Sequence, residues 1–498
     1  MTLDPDICYR ALSTRDARFD GRLFVGVKTT GIYCRPICPA RTPRRENVTF
    51  FPSAPAAQEA GFRPCLRCRP ESSPDCGAWR GSSNTVARAL RLIEAGALDD
   101  ADIETLAGRV GVGDRQLRRL FKIHLGASPI AVAQTRRVLL AKQLIHETRL
   151  SMADVALAAG FASVRRFNET FQTLYDRPPA ALRRAGGPPC ASAGEEIRLT
   201  LPYRAPYDWE GLIGFLSMRA IEGVESVRPD RYARAIVLDG EFGLLAVSPA
   251  PKDRLAVSIR FPRLSAIPAI LARVRRIFDL SADPQAIGAH LALDPDLAWR
   301  VAARPGLRVP GAWDGFELAV RAILGQQISV GAATALAGRI ARNYGAPLLE
   351  TLASVEPGIT HAFPPAAALA GADLSGLPMP RARSASIEAM ARASADDPSL
   401  WETPGEPGEA VRRLRALPGI GEWTAQYIAL RALREPDAFP AADIGLQRAL
   451  ADRGGVRPST AALASRAEAW RPWRGYAALH LWTTPNPETG AHDDRAAA

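Results

Sequence analysis

The sequence predicts a multidomain chain with three kinds of module. They are a small α/β domain built on cysteines, an all-α domain with two helix-turn-helix units, and an α+β domain in which an antiparallel sheet precedes a helix-hairpin-helix bundle. Three observations predict it. Six of the seven cysteines fall in the first 76 residues, a helical segment repeats at an interval of about 50 residues, and Leu-Pro-Gly-Ile-Gly at 417–421 joins two amphipathic stretches. At 498 residues the chain exceeds one hydrophobic core. The boundaries read as 1–75, 84–185, 195–285 and 286–484, with polar Gly/Ser/Pro linkers at 71–84 and 183–196 and a disordered tail after 484.

Charge narrows the partners. Lys+Arg number 63 against 52 Asp+Glu, a net +11, and only four of the 63 are lysine. An arginine excess suits phosphate binding, and it equally suits a genome rich in arginine codons. No apolar run reaches the ~20 residues of a membrane span. The N-terminus MTLDPDICYRALSTRDARFD lacks an apolar signal core. The expectation is a soluble cytoplasmic protein with no membrane partner, in which seven cysteines do not form a disulfide framework.

Within the first domain, Cys34-x3-Cys38 is followed after 26 intervening residues by Cys65-x2-Cys68. Two close pairs at this separation have zinc-ligand spacing, and a domain of ~70 residues benefits from such a staple. Cys8, Cys76 and Cys190 lack such partners. At TTGIYCRPICPAR, RENVTF and GFRPCLRCRPE the sequence resembles the N-terminal domain of the Ada adaptive-response family. The resemblance implies that Cys34 is both a zinc ligand and the acceptor of a methyl group from a DNA methylphosphotriester, with Cys38, Cys65 and Cys68 completing the site. Thr30, Arg41 and Arg63 are candidates for holding the phosphotriester. Loss of one thiolate charge on methylation would ease repulsion from DNA phosphates.

The second domain carries the repeat. LAGRVGVGDRQLRRLF (106–121) parallels LAAGFASVRRFNETF (157–171), and Gly111 and Gly160 stand where a tight interhelical turn favours positive φ. Ser151 with Asp154 reads as a capping box, and Ser128-Pro129 as the start of a long connecting helix. About 19 helical residues span roughly 28 Å, which suits two recognition helices one DNA turn apart. Arg115, Arg118 and Arg119 in one second helix, and Arg165 and Arg166 in the other, are the candidate DNA contacts. The region resembles AraC-family DNA-binding domains, which implies sequence-specific regulation of transcription and contact with RNA polymerase.

In the third domain, LRALPGIGEWTAQYIALRAL (414–433) precedes DAFPAADIGLQRAL with its single Asp443. A Gly-x-Gly hairpin at a helix start offers backbone amides to a phosphate, here at Gly419 and Gly421. Asp443 alone also suits an ordinary helix cap. Over about 195–484 the sequence resembles AlkA-type 3-methyladenine DNA glycosylases, including RPGLRVPGAWDGFELAVRAILGQQISV and AEAWRPWRGYAALHLW. The resemblance implies hydrolytic excision of 3-methyladenine and other alkylated purines, with Asp443 stabilising cationic charge on the sugar. It also implies a pocket containing Trp423, Tyr427 and Trp482 that grips a flipped, electron-poor base. Trp423 occupies the position of the lysine nucleophile in glycosylases with lyase activity, which implies a monofunctional enzyme. Two departures stand against the best-known AlkA-type enzyme: Gln327 aligns with its duplex-wedging leucine, and one extra residue lies between Pro440 and Asp443. The carbonyls of Arg415, Leu417 and Gly419 match a monovalent-cation site.

No iron–sulfur cysteine cluster occurs in the C-terminal half, and no Pro-Cys-His-Arg tetrapeptide marks an alkylguanine acceptor domain. Two other readings stand beside an adaptive response to DNA alkylation. One is a transcription regulator whose C-terminal half binds DNA without catalysis; the other is a purely structural zinc domain.

Overall fold

The computed structural model describes residues 4–74, 84–183, 196–402, 408–451 and 455–483. Cys76, Cys190, most of TPGEPGE, most of the two expected linkers and the tail lie outside the described residues. The chain forms two compact units: one of residues 1–203 with 250–272, the other of 204–249 with 273–498. Among the described residues, no helix is long and apolar enough to cross a membrane.

In the first unit a four-stranded sheet has the order β3-β1-β2-β4. Its strands are β1 (Phe24–Val27), β2 (Ile32–Cys34), β3 (Val48–Phe51) and β4 (Arg63–Pro64). β1 pairs antiparallel with β2 and β3, while β4 joins β2 in parallel with Ile32 opposite Arg63. Strand alternation sends Leu23, Val25 and Val48 to one face, packed with Cys8 and Leu12 of helix α1 (Pro5–Ser13). Phe24 and Tyr33 face the other way, onto Ala54 and Ala57 of α2 (Ala54–Glu59).

Seven helices follow: α3 (Asn84–Glu94), α4 (Ala97–Asp100), α5 (Ile103–Arg109), α6 (Asp114–Leu125), α7 (Pro129–Glu147), α8 (Met152–Ala158) and α9 (Val164–Tyr175). The sequence repeat becomes two helix pairs, α5–α6 and α8–α9, flanking α7. Gly111 and Gly160 hold φ of +73° and +84° in the two turns. Phe121 and Phe171, equivalent in the repeat, are both fully buried. Ser128 caps α7 through the Ala131 N–H, as expected. At Ser151 the cap differs in detail: its Oγ accepts from Asp154 N, but it is the Ser151 hydroxyl, not its backbone N–H, that donates to the Asp154 carboxylate at 2.7 Å.

The cysteine domain is fastened to this bundle. The Ser53 hydroxyl donates to the Leu125 carbonyl at 2.6 Å, and Lys122 pairs with Glu59 at 2.9 Å, so α2 grips the C-terminal end of α6. The 71–84 linker also begins later than its polar composition suggests, because Glu71 and Ser72 are buried. The same unit contains the antiparallel strand pair Ile197–Pro202 and Arg254–Arg260.

In the second unit, strands Glu225–Arg228, Arg231–Leu238 and Glu241–Ala250 form an antiparallel meander. The helical part packs around Gly315–Leu324, whose Phe316, Ala319, Val320 and Ile323 enter the central core. Buried charges tie sheet to bundle. Arg234 pairs with Glu317 at 2.6 Å, and Arg321 bonds Glu225 and Glu317 at 2.6 Å each. The Tyr232 hydroxyl donates to Glu225 at 2.6 Å. Helices Glu409–Arg415 and Glu422–Arg431 flank the Leu-Pro-Gly-Ile-Gly hairpin, with Gly419 at φ +76° and Gly421 as N-cap.

Candidate functional sites

In the first unit the four sequence-paired cysteines converge. Cys34 ends β2, Cys38 lies in the turn that follows, Cys65 follows β4 with its N–H donating to the Tyr33 carbonyl, and Cys68 closes the loop. All four Sγ atoms lie within 4.8 Å of one another. Tetrahedral zinc with bonds of ~2.3 Å needs sulfurs about 3.8 Å apart, so four soft thiols here fit Zn²⁺. The four are not equivalent. Cys38, Cys65 and Cys68 are buried, and Cys34 alone is partly exposed. Backbone N–H groups are directed at two of these: Arg67 at Cys65 (3.3 Å) and Arg35 at Cys68 (3.4 Å). Among the described residues none is directed at Cys34. Hydrogen bonds to a thiolate spread its charge and lower its nucleophilicity, so the damping falls on Cys65 and Cys68, while Cys34 is undamped and the one of the four that solvent reaches. Composition gave no sign of it.

Around this site Thr30 and Arg41 are exposed and Arg63 is half-buried. The Thr30 hydroxyl donates to the Val27 carbonyl at 3.4 Å. On the two recognition helices Arg115, Arg118, Arg119, Arg165 and Arg166 are all exposed. Arg118 lies 3.6 Å from Asp114 and Arg165 2.8 Å from Glu169, whereas Arg115, Arg119 and Arg166 have no ion-pair partner among the described residues.

In the second unit Asp443 is buried at the N-cap of helix Ile444–Ala449, where its Oδ1 accepts from Leu446 N at 2.8 Å. The ordinary capping role is therefore real, and it is only part of the arrangement. The Trp482 indole N–H donates to Oδ1 at 2.9 Å and the Trp423 indole N–H to Oδ2 at 2.7 Å. Both oxygens are held by neutral donors, and among the described residues no cation pairs with the carboxylate. Its orientation is fixed while its charge stays uncompensated.

The structure brings Trp423, Tyr427 and Trp482 together. Trp423 and Tyr427 stack with centroids 5.2 Å apart and planes 10° from parallel, and Tyr427 meets Trp482 edge-on at 6.5 Å. Trp423 and Tyr427 line a cavity of about 50 Å³ together with Arg219, Arg321 and Arg431. Sequence reasoning missed these arginines; the i, i+4 spacing of Tyr427 and Arg431 was the one local signal. Arg431 donates to the Tyr427 hydroxyl oxygen at 2.6 Å and to the carbonyls of Pro310 (2.9 Å) and Gly311 (3.2 Å). Burial would raise the Tyr427 phenol, but Arg431 and Arg219 outweigh it and hold it below the usual tyrosine range. Cation–π attraction is worth about 0.5–2 kcal/mol per ring. One guanidinium ~5 Å away repels a cationic base by about 3 kcal/mol at an effective dielectric of 20. Ring stacking alone therefore does not set the pocket's preference.

Gln327 is exposed, between helices Gly315–Leu324 and Val330–Tyr344, with φ of +59°, a left-handed conformation uncommon outside glycine. Next to it, Gln326 Nε2 donates to the Gly419 carbonyl at 3.0 Å and to Thr424 Oγ1 at 3.1 Å, tying this turn to the hairpin. That bond engages one of the three carbonyls assigned to a monovalent cation.

Comparison with known proteins follows the same division. Family models match as the metal binding domain of Ada over 7–71, a helix-turn-helix domain over 106–185, the AlkA N-terminal domain over 198–314, and the HhH-GPD superfamily of base excision DNA repair proteins over 320–475. A Mycobacterium tuberculosis protein named "Probable bifunctional transcriptional activator/DNA repair enzyme AlkA" is 43% identical over 97% of this chain and 96% of its own. The Escherichia coli protein named DNA-3-methyladenine glycosylase 2 is 37% identical over 57% of this chain and 96% of its own. The solved 3-methyladenine DNA-glycosylase from Archaeoglobus fulgidus shares the fold over 57% of this chain and 97% of its own, with a TM-score of 0.51 at 23% identity.

Proposed function

The chain belongs to the family of bifunctional transcriptional activator/DNA repair proteins that join an Ada-type half to an AlkA-type half, and from that premise we propose a division of chemistry between its two units. The second unit is a monofunctional glycosylase that releases 3-methyladenine and related alkylated purines from double-stranded DNA. The observation that carries this reading is Asp443, fixed by two indole N–H groups and a helix N–H, with no ion-pair partner among the described residues.

N3- or N7-alkylation makes the base a good leaving group without a general acid. What the protein supplies is charge stabilisation at the sugar. A carboxylate about 4 Å from an oxocarbenium-like centre contributes roughly 4 kcal/mol at an effective dielectric of 20, near 10³ in rate. Because its lone pairs are engaged by neutral donors, Asp443 needs no reorganisation as that charge develops. Trp423 stands where a Schiff-base lysine would be needed for strand cleavage, so hydrolysis is the sole outcome. Gly419 and Gly421 anchor the DNA backbone, Gln327 occupies the gap left by the flipped nucleotide, and Tyr427 and Trp482 contact the base.

In the first unit Cys34 takes a methyl group from a phosphotriester and Cys38, Cys65 and Cys68 remain ligands. Zinc bound there keeps the thiols deprotonated at neutral pH. Cys34 is the sulfur with access to DNA and without a damping N–H, which supports its selection as the nucleophile. Thr30, Arg41 and Arg63 hold the phosphotriester. The arginines of α6 and α9 then read a promoter, and activation there calls for contact with RNA polymerase in the cytoplasm. Asp443→Asn tests the glycosylase assignment. With methylated duplex DNA, release of 3-methyladenine should fall at least 10³-fold while duplex affinity stays within about threefold; full excision by this variant would reject the assignment.

A further inference from the structure

The sequence boundary at 195 assigns strand Ile197–Pro202 to the glycosylase half, yet this strand and its partner Arg254–Arg260 fold into the first unit. One side of the strand is paired, with Thr200 opposite Ala256. A bare second side would be a template for unwanted strand pairing. Helix α7 covers it at Thr200. Gln143 Nε2 donates to the Thr200 carbonyl at 2.8 Å, and the Thr200 N–H donates to Glu147 Oε2 at 2.8 Å. Gln143 and Glu147 are four apart, hence on one helical face, and Gln143 Nε2 also donates to Glu147 Oε2 at 3.0 Å. Two side chains thereby stand in for a neighbouring strand. The Thr200 hydroxyl donates to Glu147 Oε1 and accepts from Arg254 Nη1, both at 3.2 Å.

The same Glu147 carboxylate reaches the cysteine site. Arg69 directly follows Cys68; its Nη2 donates to Glu147 Oε1 at 3.3 Å and its Nε to Glu71 at 3.1 Å. Glu71 in turn is paired with Lys142 of α7. Lys142, Glu71, Arg69 and Glu147 thus form a row of alternating charge between the cysteine loop and the strand, and moving Arg69 breaks the row in its middle. Arg69 holds a left-handed φ of +52°, which an L-residue keeps only when its surroundings impose it. Here the surroundings are the loop of Cys65 and Cys68. Zinc, with bonds of ~2.3 Å, fixes that loop; without the ion, thiols offer it only weak hydrogen bonds.

We propose that zinc binding at the four cysteines and docking of strand Ile197–Pro202 on α7 are linked through Arg69 and Glu147. Zinc holds the loop that sets Arg69, Arg69 holds the Glu147 carboxylate, and Glu147 with Gln143 holds Thr200. The linkage is reciprocal: what zinc adds to the docked strand, the docked strand adds to zinc affinity. The metal state of the cysteine domain thereby reaches the first strand of the glycosylase half with no DNA bound.

Hydrogen exchange of the full chain, zinc-loaded and after chelation under reducing conditions, tests this. Chelation should speed exchange in peptides covering 197–202 at least tenfold and leave helix Gly315–Leu324 of the second unit unchanged. In Arg69→Gln that response should shrink below about threefold. Competition with a chromophoric chelator reads the reciprocal effect. Among the described residues Gln143 hydrogen-bonds Glu147 and Thr200 and no residue of the cysteine loop, so a purely structural role would leave zinc affinity alone. Under the linkage, Gln143→Ala weakens zinc binding about fivefold, and Thr200→Val shifts it in the same direction. A strand unmoved by chelation would overturn the proposal, as would equal acceleration in Gly315–Leu324, which marks general unfolding. An undiminished response in Arg69→Gln would overturn the route through that residue. Zinc affinity unchanged in both Gln143→Ala and Thr200→Val would overturn the linkage and leave plain docking.

Discussion

The Lys142 ammonium of α7 lies 2.8 Å from the Glu71 carboxylate, and both side chains are shut off from solvent. Lys142 Nζ also donates to the Cys65 carbonyl at 3.4 Å, so a metal-ligand loop and the connecting helix of the DNA-binding domain share one buried cation. Burial alone would raise the Glu71 carboxyl. Lys142 and Arg69 together overcome that and hold it below the usual range. Lys142→Met removes the closer of the two cations that hold the buried Glu71 carboxylate, leaving Arg69 at 3.1 Å, and should cost about 3 kcal/mol. The double change Lys142→Met with Glu71→Leu should recover most of that. Denaturant unfolding of the three proteins checks it.

Cys34→Ser should retain part of the zinc affinity, since the three buried thiols remain, yet take up no methyl label from DNA carrying methylphosphotriesters. Mass spectrometry of the cysteine peptides reads the outcome. A label appearing on Cys38, Cys65 or Cys68 would contradict the exposure and hydrogen-bond pattern described for Cys34.

Acid should loosen the second unit in a defined window. Burial raises the Glu225 carboxyl, but Arg321, Arg234 and the Tyr232 hydroxyl carry it down to about 2. A folded pKa below the unfolded value of ~4.5 gives stability that is complete above pH ~4.5 and is lost as pH falls through 2. The shift corresponds to about 3 kcal/mol. Urea unfolding from pH 6 to 2 should show this slope in the wild-type protein and a shallower one in Glu225→Gln.

Gly419→Ala places a Cβ against the Ser386 hydroxyl, at a φ of +76° that L-residues resist. Strain of about 1–2 kcal/mol at the hairpin should weaken binding to duplex DNA roughly tenfold. Fluorescence anisotropy with a labelled duplex measures it.

Legibility in the sequence followed distance along the chain. The two close cysteine pairs, the twin glycines at 111 and 160, and the hairpin glycines were all readable because each is a pattern within a few residues. Asp443 was readable only as a choice between cap and catalyst. Its indole partners sit 20 and 39 residues away, and the structure shows that it caps while they hold it. Arg219 and Glu71 gave no signal at all: their partners Tyr427 and Lys142 are brought near by packing, and Glu71 stands in what polar composition marks as linker. The arginines beside Tyr427 add fixed positive charge to a pocket that the sequence resolved only in its aromatic residues.

The clamp between α2 and the end of α6, made by Ser53 on Leu125 and Glu59 on Lys122, bears on how such chains can be recombined. The recognition helix does not hang from a tether. It is bolted to the neighbouring module at its C-terminal end, so a chimera that grafts a foreign promoter-reading domain onto this cysteine module would inherit a mismatched joint unless α2 travels with the graft.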